Sequence, residues 1–224
     1  MLDGLVARAR RLAARDDRII LGIAGSPGAG KSTLAGAIVD ELTRQGDLPA
    51  ALVPMDGFHL SDSALDRLGR RRRKGSIDTF DGDGYLALLR RLRADRQHTI
   101  WAPGFERDLE QPIAGTIPVG PEIRLVITEG NYLLADAHPW PAVRAELAEV
   151  WFCQLNTPLR RDRLIRRHVQ FGKSDQAARS WVAAVDDPNA DLIEAGRYRA
   201  DLIVEMAGFE PVSADPPPGA SAHR

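Results

Sequence analysis

The amino-acid sequence predicts an α/β fold in which a central parallel β-sheet carries helices on both faces. Short apolar segments of the kind found in buried strands recur along the chain, and segments with helical spacing separate them. Strands that alternate with helices in this way are joined by right-handed crossovers, which produce a parallel sheet. The length of 224 residues suits one large domain with a substantial core.

Five segments are predicted to form the strands of this sheet. Each is short, rich in branched or aromatic residues, and close to a glycine, a proline or a polar residue. The last of the five has the weakest pattern. In chain order they are Arg18–Ala24, Ala50–Met55, Arg124–Thr128, Val150–Leu155 and Asp201–Glu205.

The segments between these strands have the spacing of amphipathic helices. They are Lys31–Arg44, Gly84–Ala94, Trp140–Leu147, Pro158–Phe171 and Gln176–Val185. The first residues, Met1–Arg18, are rich in arginine and superficially similar to a transit peptide. Because this segment also contains aspartates, we expect an ordinary leading helix.

Composition and charge exclude several classes of protein. The 30 Lys and Arg residues balance 31 Asp and Glu residues, which counts against nucleic-acid binding by bulk electrostatics. No apolar run approaches the roughly 20 residues of a membrane helix. Cys153 is the single cysteine, so neither an intrachain disulfide nor a cysteine metal cluster can form. We expect a cytoplasmic protein that binds neither nucleic acid nor membrane; homodimer formation stays open.

The strongest motif is Gly25–Ser32, GSPGAGKS, which matches the phosphate-binding pattern G-x-x-x-x-G-K-[ST] between a predicted strand and a predicted helix. Its glycines let backbone N–H groups surround phosphate at a helix N-terminus. Lys31 would reach the β- and γ-phosphates, and the Ser32 hydroxyl would bind Mg²⁺. The predicted nucleotide-binding residues are Gly25, Ser26, Gly28, Ala29, Gly30, Lys31, Ser32 and Thr33.

Polar residues follow the second predicted strand at the sheet edge where this loop lies. Asp56 could take the proton of an acceptor hydroxyl as it attacks phosphorus. It could instead be a helix cap or a turn residue, since Asp-Gly is a common turn pair. His59 is either an acceptor contact or only a polar residue near the cleft.

Glu129 ends the third predicted strand and could hold Mg²⁺ or a bridging water beside the γ-phosphate. The alternative is a strand-terminal glutamate that faces water.

Arginines crowd the segment Pro158–Phe171, and Arg163 and Arg167 lie four residues apart on one face. Such a helix could close as a lid and bring guanidinium groups to the phosphates. The alternative is a solvated charged face. The run Arg70–Lys74 is likewise either a solvated loop or a phosphate site, and Lys173 beside the lid could contact phosphate.

Together, GSPGAGKST, MDGFHL, ITEGNY and RLIRRH resemble the phosphoribulokinase, uridine kinase and pantothenate kinase superfamily. The sequence is most similar to the bacterial nucleoside/nucleotide kinase-like branch, some members of which are described as fructose-transport-system kinases. The resemblance extends from about Ile19 to Asp201 and includes RKGSIDTFD, APGFERDLEQPIAGTIPV and VDDPNADLI.

The resemblance implies a P-loop kinase fold that uses ATP and Mg²⁺. It implies that Asp56 is the general base, that Glu129 lies near the metal and the acceptor, and that Arg163 and Arg167 belong to the lid. It further implies an acceptor pocket lined by Asp78, Phe80, Phe105 and Arg107. Two positions depart from the branch: Glu106 replaces the usual Asp, and Ile77 replaces the usual Pro.

The sequence therefore predicts a single kinase domain over residues 1–210. An Arg-rich lid is expected at about 158–175, with acceptor-side insertions at about 60–80 and 102–121. The second insertion, rich in Pro and Gly, could be a hairpin. Residues 211–224 are predicted to be a disordered tail. The expected activity is transfer of the γ-phosphate of ATP to a hydroxyl of a nucleoside, pantothenate-like compound or sugar. The alternative is a regulatory P-loop ATPase without a small-molecule acceptor.

Overall fold

The computed structural model describes residues 1–14, 17–46 and 48–209, and within them it contains a five-stranded parallel sheet. The strands are β1 (Ile19–Ala24), β2 (Ala50–Leu52), β5 (Leu125–Gly130), β6 (Glu149–Gln154) and β7 (Leu202–Glu205). Their order is β2-β5-β1-β6-β7, and every neighbouring pair is parallel. The predicted fold class is confirmed. The predicted disordered tail, residues 211–224, lies outside the described residues.

The excursion rich in Pro and Gly forms an antiparallel hairpin of β3 (Ile100–Glu106) and β4 (Gln111–Val119). The pairing extends from Ile100 opposite Val119 to Glu106 opposite Gln111 and shifts register between Ala102 and Gly104. The hairpin is separate from the main sheet, and both of its strands contact the turn Met55–Phe58 that follows β2.

Eight α-helices are present in the described residues, and helices cover both faces of the sheet. They are α1 (Leu2–Leu12), α2 (Lys31–Gln45), α3 (Asp62–Arg67), α4 (Gly82–Ala94), α5 (Trp140–Glu146), α6 (Thr157–Gln170), α7 (Asp175–Trp181) and α8 (Asp187–Ala195). A π-helical turn, Val182–Asp186, joins α7 to α8. The predicted helix Gln176–Val185 therefore continues to Ala195. No helix among the described residues has the length and apolar character needed to cross a membrane.

Alternate residues of the central strands enter two separate apolar layers, as expected for a sheet that is buried on both faces. Ile20 and Val126 pack in the layer that contains α4 and α5. Leu21 and Ile127 pack in the opposite layer with α1 and α2. This double burial fixes the strands, and with them the loops that leave their carboxyl ends.

Arg18 lies buried at the start of β1, with 2% of its surface exposed. Its guanidinium donates hydrogen bonds to the carbonyl oxygens of Leu92, Asp95, Gly120 and Ile123, at 2.7 to 3.2 Å. It thereby satisfies carbonyls at the C-terminal end of α4 and in the turn before β5.

Candidate active site

A cavity of about 490 Å³ lies among the phosphate loop, the ends of β2 and β5, the hairpin turn, α6 and the π-helical turn. It unites most of the side chains to which the sequence assigned chemistry. Predicted residues that line it are Gly28, Lys31, Ser32, Asp56, His59, Phe105, Arg107, Glu129 and Arg167.

The phosphate loop joins β1 to α2, and its glycines are required by the backbone. Gly25, Gly28 and Gly30 have φ angles of 147°, 79° and 96°, a region that side-chain-bearing residues seldom adopt. A Cβ on Gly28 would come within 2.8 Å of Leu164 Cγ and 2.9 Å of the Arg160 carbonyl oxygen. The loop is therefore packed directly against α6.

Lys31 is buried, and its Nζ donates to the carbonyl oxygen of Ser26 at 3.2 Å. Burial lowers the pKa of this ammonium group, an effect that the nearby Glu129 and Asp56 carboxylates oppose. An ammonium group has three N–H donors. Among the described residues only this one hydrogen bond is made, so donors remain for a ligand in the cavity.

Ser32 and Glu129 form the second polar pair of the site. The Ser32 hydroxyl donates to Glu129 Oε1 at 2.9 Å, and Glu129 is 5% exposed. Burial and, after it, the neighbouring Asp56 raise the pKa of Glu129. Glu129 thus lies inside the site and does not face bulk water, which excludes the alternative interpretation.

The oxygens of Ser32 and Glu129 suit Mg²⁺, which binds few protein ligands and takes its others from phosphate and water. The described residues contain no group of three or more His, Cys, Asp or Glu side chains that could hold a metal by themselves.

The sequence predicted a strand that extends to Met55, but β2 ends at Leu52. Asp56 therefore lies after the strand, on a single 3-10 turn, Met55–Phe58. The hairpin packs closely here: a Cβ on Gly57 would come within 2.3 Å of the Pro103 carbonyl oxygen. Asp56 Oδ2 accepts a hydrogen bond from Arg107 Nη2 at 3.3 Å. Asp56 is therefore held at the cavity wall with one oxygen already engaged.

The His59 ring is held between Phe80 and Phe105, with centroid distances of 4.0 and 4.8 Å. Its Nδ1 lies 2.8 Å from the Asp56 carbonyl oxygen, to which it can only donate. Burial lowers the pKa of His59 and favours the neutral ring. In that tautomer Nε2 carries the lone pair, so the side chain is a hydrogen-bond acceptor in the cavity wall.

The arginines of α6 divide into two groups that the sequence did not separate. Arg160 is buried, and Arg160 and Arg161 contact Asp187 at 2.7 and 2.9 Å, which holds α6 against α8.

Arg167 lines the cavity, and its burial, followed by the nearby Arg107, lowers its pKa. Arg163 is exposed beside Gly30 and is not among the lining residues. Of the two predicted lid arginines, only Arg167 reaches the cavity.

Asp78 and Phe80 do not line the cavity either, contrary to what the resemblance implied. Asp78 pairs with Arg70 and Arg73, at 3.4 and 2.6 Å, and these contacts hold it behind the cavity wall. Phe80 is buried beneath the His59 ring and supports it.

His168, to which the sequence assigned no role, and Lys173, which was expected to contact phosphate, both line the cavity. His168 Nε2 lies 2.9 Å from Asp186 Oδ2, and Lys173 Nζ lies 5.0 Å from the ring centre of Trp181. These pairs connect the end of α6 with α7 and the π-helical turn. The segment VDDPNADLI marked this region, but its pattern carries no signal for the individual contacts.

Helix α8 also supports the phosphate loop. Ser26 Oγ donates to Glu194 Oε1 at 2.7 Å, although Ser26 was predicted to contact nucleotide. Asn189 Nδ2 lies 3.5 Å from the Gly75 carbonyl oxygen, which also accepts from the Tyr132 hydroxyl at 2.7 Å. The helix therefore contacts both the phosphate loop and the segment that follows α3.

Known proteins are similar to this chain over most of its length. A candidate uridine kinase of Schizosaccharomyces pombe is 30% identical over 217 residues, 94% of this chain and 92% of that protein. An ATP-dependent kinase-like protein of Aspergillus versicolor is 34% identical over 159 residues, 67% of this chain and 92% of that protein. No protein-family model matches the chain.

Among solved structures, a candidate fructose transport system kinase from Silicibacter sp. TM1040 superposes with a TM-score of 0.83. It is 36% identical, and the match covers 91% of this chain and 98% of that chain.

Proposed function

The chain belongs to the P-loop kinases that include the uridine kinase-like proteins, and we propose that it transfers the γ-phosphate of ATP to a hydroxyl group of a small molecule. The observation that carries this proposal is that Asp56 lines the same cavity as Lys31 and Ser32 of the phosphate loop. A nucleoside, a pantothenate-like compound and a sugar each present a suitable hydroxyl.

In this proposal Gly25–Thr33 binds the ATP phosphates. Lys31 and the lid arginine Arg167 stabilise the charge that develops on the transferred group. Ser32 and Glu129 would hold Mg²⁺, which supplies charge neutralisation on the phosphates when bound. The donors that Lys31 leaves without a partner among the described residues support its role.

Asp56 acts as the general base for the acceptor hydroxyl. Arg107 engages Oδ2, so Oδ1 is the oxygen that takes the proton as the hydroxyl oxygen bonds to phosphorus and the bond to ADP breaks. His59 offers a lone pair to a second donor group of the acceptor.

Asp56→Asn tests the assignment of the base. We expect turnover to fall about 10²- to 10⁴-fold with ATP binding retained, because the amide cannot accept the proton. Turnover is measured as acceptor-dependent ADP release, and ATP binding by calorimetry. Asp191→Asn is the matched control, since Asp191 is exposed on α8 outside the cavity. Near-normal turnover in Asp56→Asn would contradict the assignment.

A screen of hydroxyl compounds with ATP tests the class of activity. Acceptor-dependent ADP release, together with a phosphorylated product, supports the kinase. Slow ADP release that no compound stimulates favours the regulatory ATPase instead.

A further inference from the structure

One wall of the cavity carries three cations within four residues of the segment that follows α3. Arg71, Arg72 and Lys74, here called the cationic wall, all line the cavity. Their neighbours Arg70 and Arg73 pair with Asp78 and do not line it. The basic run Arg70–Lys74 is therefore divided: two arginines serve the fold, and the other three cations face the cavity.

Among the described residues, two of the three cations of the cationic wall form ion pairs with two carboxylates, those of Asp62 and Asp66. Asp62 is shared by two of the cations, at 2.7 Å from both Arg71 and Lys74. Asp66 adds a contact to Arg71 at 3.4 Å but is itself largely exposed. Arg72 makes no hydrogen bond and no ion pair with any residue that the structure describes.

Lys74 is a built part of this wall rather than a solvated charge. Its side chain is 12% exposed, and its Nζ also donates to the backbone carbonyl of Glu110. Burial of an ammonium group costs free energy unless its charge is paired and its N–H groups are hydrogen-bonded. Glu110 of the hairpin turn also lines the cavity, and its side chain is exposed.

The wall lies next to the proposed base. Lys74 Nζ and the Arg107 guanidinium each lie 5.6 Å from the centre of the Phe105 ring. That ring stacks on His59, whose Nδ1 bonds to the Asp56 carbonyl. A molecule whose hydroxyl reaches Asp56 can therefore extend past Phe105 to these cations.

We propose that the phosphate acceptor is anionic, with a carboxylate or phosphate group that binds the cationic wall while its hydroxyl lies at Asp56. This inference rests on the proposed function. Arg72 supplies donors that no internal partner uses, and guanidinium groups bind both anions with paired, charge-assisted hydrogen bonds. An uncharged acceptor would leave these donors without a protein or ligand partner.

Matched compounds that differ in one group test the charge and its source. Glycerol is compared with glycerate and glycerol 3-phosphate, ribose with ribose 5-phosphate, and pantothenol with pantothenate. Binding is measured by calorimetry with a non-hydrolysable ATP analogue present, so that the phosphate loop is filled. Turnover of each compound with ATP is measured separately. Preference for glycerate or for glycerol 3-phosphate distinguishes carboxylate from phosphate.

Variants locate the binding site of the anion. Because Arg72 has no internal partner among the described residues, Arg72→Gln and Arg72→Glu remove no contact that the fold uses. We expect Arg72→Gln to weaken binding of the preferred anionic compound about 10-fold and Arg72→Glu to weaken it further, with no change for its neutral counterpart. Arg67→Gln, an exposed position on α3 outside the cavity, should change neither.

The outcomes separate this inference from the proposed function. If no anionic compound binds more tightly than its neutral counterpart, or if the preference survives in Arg72→Glu, the inference is overturned. If an anionic compound binds through Arg72 and no compound at all is phosphorylated, the kinase proposal fails and the anion site stands. If only neutral compounds are phosphorylated, the kinase stands and the anionic acceptor does not.

Discussion

Two buried cations at opposite ends of β1 illustrate two uses of charge in this protein. Arg18 directly precedes β1 and is 2% exposed, and Lys31, at the start of α2 after the phosphate loop, is 8% exposed. Burial lowers the pKa of both side chains. Arg18 donates to four backbone carbonyls, whereas Lys31 donates to one among the described residues.

The difference indicates which charge serves the fold and which serves a ligand. A buried cation with most of its donors engaged by backbone carbonyls, as in Arg18 with four hydrogen bonds, stabilises the structure that supplies those carbonyls. A buried cation with unused donors reduces the stability of the ligand-free protein. An anion that enters the cavity offsets this loss by pairing with the charge and accepting the remaining hydrogen bonds. Arg18 and Lys31 should therefore respond to substitution in opposite ways.

Lys31→Met gives the largest expected effect. Turnover should fall at least about 10²- to 10³-fold, because a preorganised donor to the transferred phosphoryl group is lost. The free energy of unfolding should change by less than about 1 kcal/mol, since a buried charge with one hydrogen bond is replaced by an apolar chain of similar length. Kinetics and urea unfolding measure the two effects. Unchanged turnover would refute the assigned role of Lys31.

Arg18→Met should do the reverse. We expect the free energy of unfolding to fall by about 3 kcal/mol, because four carbonyls lose their donor. The turnover of the folded enzyme should be unchanged, since Arg18 is far in the fold from the cavity. Arg91→Met, an exposed substitution on α4, should stay within about 0.5 kcal/mol. If the two variants were equally stable, Arg18 would not have the structural role assigned to it.

The smallest expected effect concerns His59, a buried side chain whose neutral form is favoured. Its pKa in the folded protein lies below the ordinary 6.5, because burial outweighs the attraction of Asp56; the cations Lys74 and Arg107 also face the ring. Unfolding therefore takes up a proton between the lowered pKa and about 6.5. The stability that this group contributes is constant above that window and falls as the pH drops through it.

His59→Gln removes this titration, so the unfolding free energy of the variant should decline less steeply than that of the parent between pH 7 and pH 5. Urea unfolding at several pH values measures both curves. Parallel curves would show that the ring is not held in its neutral form.

The parts of the molecule that the sequence predicted are those that local patterns determine. The phosphate loop was predictable because its positive φ angles require glycines, and the strand before it and the helix after it have recognisable local sequence patterns. The strands were predictable from short apolar runs. The location of Asp56 and Glu129 in one site was predictable because the carboxyl ends of parallel strands meet at one edge of the sheet.

The parts that it could not predict depend on contacts between distant segments. The contact between Arg160 and Asp187 spans 27 residues, and nothing in the arginine-rich helix distinguishes Arg160 from Arg167. Which of them reaches the cavity is decided by where α6 packs. The run Arg70–Lys74 likewise left a solvated loop and a phosphate site open, because the burial of Lys74 depends on the distant hairpin turn, whose Glu110 carbonyl accepts its hydrogen bond.

The π-helical turn Val182–Asp186 sets the angular position of everything that follows it in the C-terminal helix. Each residue of an α-helix advances the chain by about 100° and 1.5 Å. Deletion of a single residue here would turn α8 by about that angle. The contacts of Asp187 with α6, of Asn189 with Gly75 and of Glu194 with the phosphate loop would all be lost. At this place the number of residues matters to the site as well as their identity.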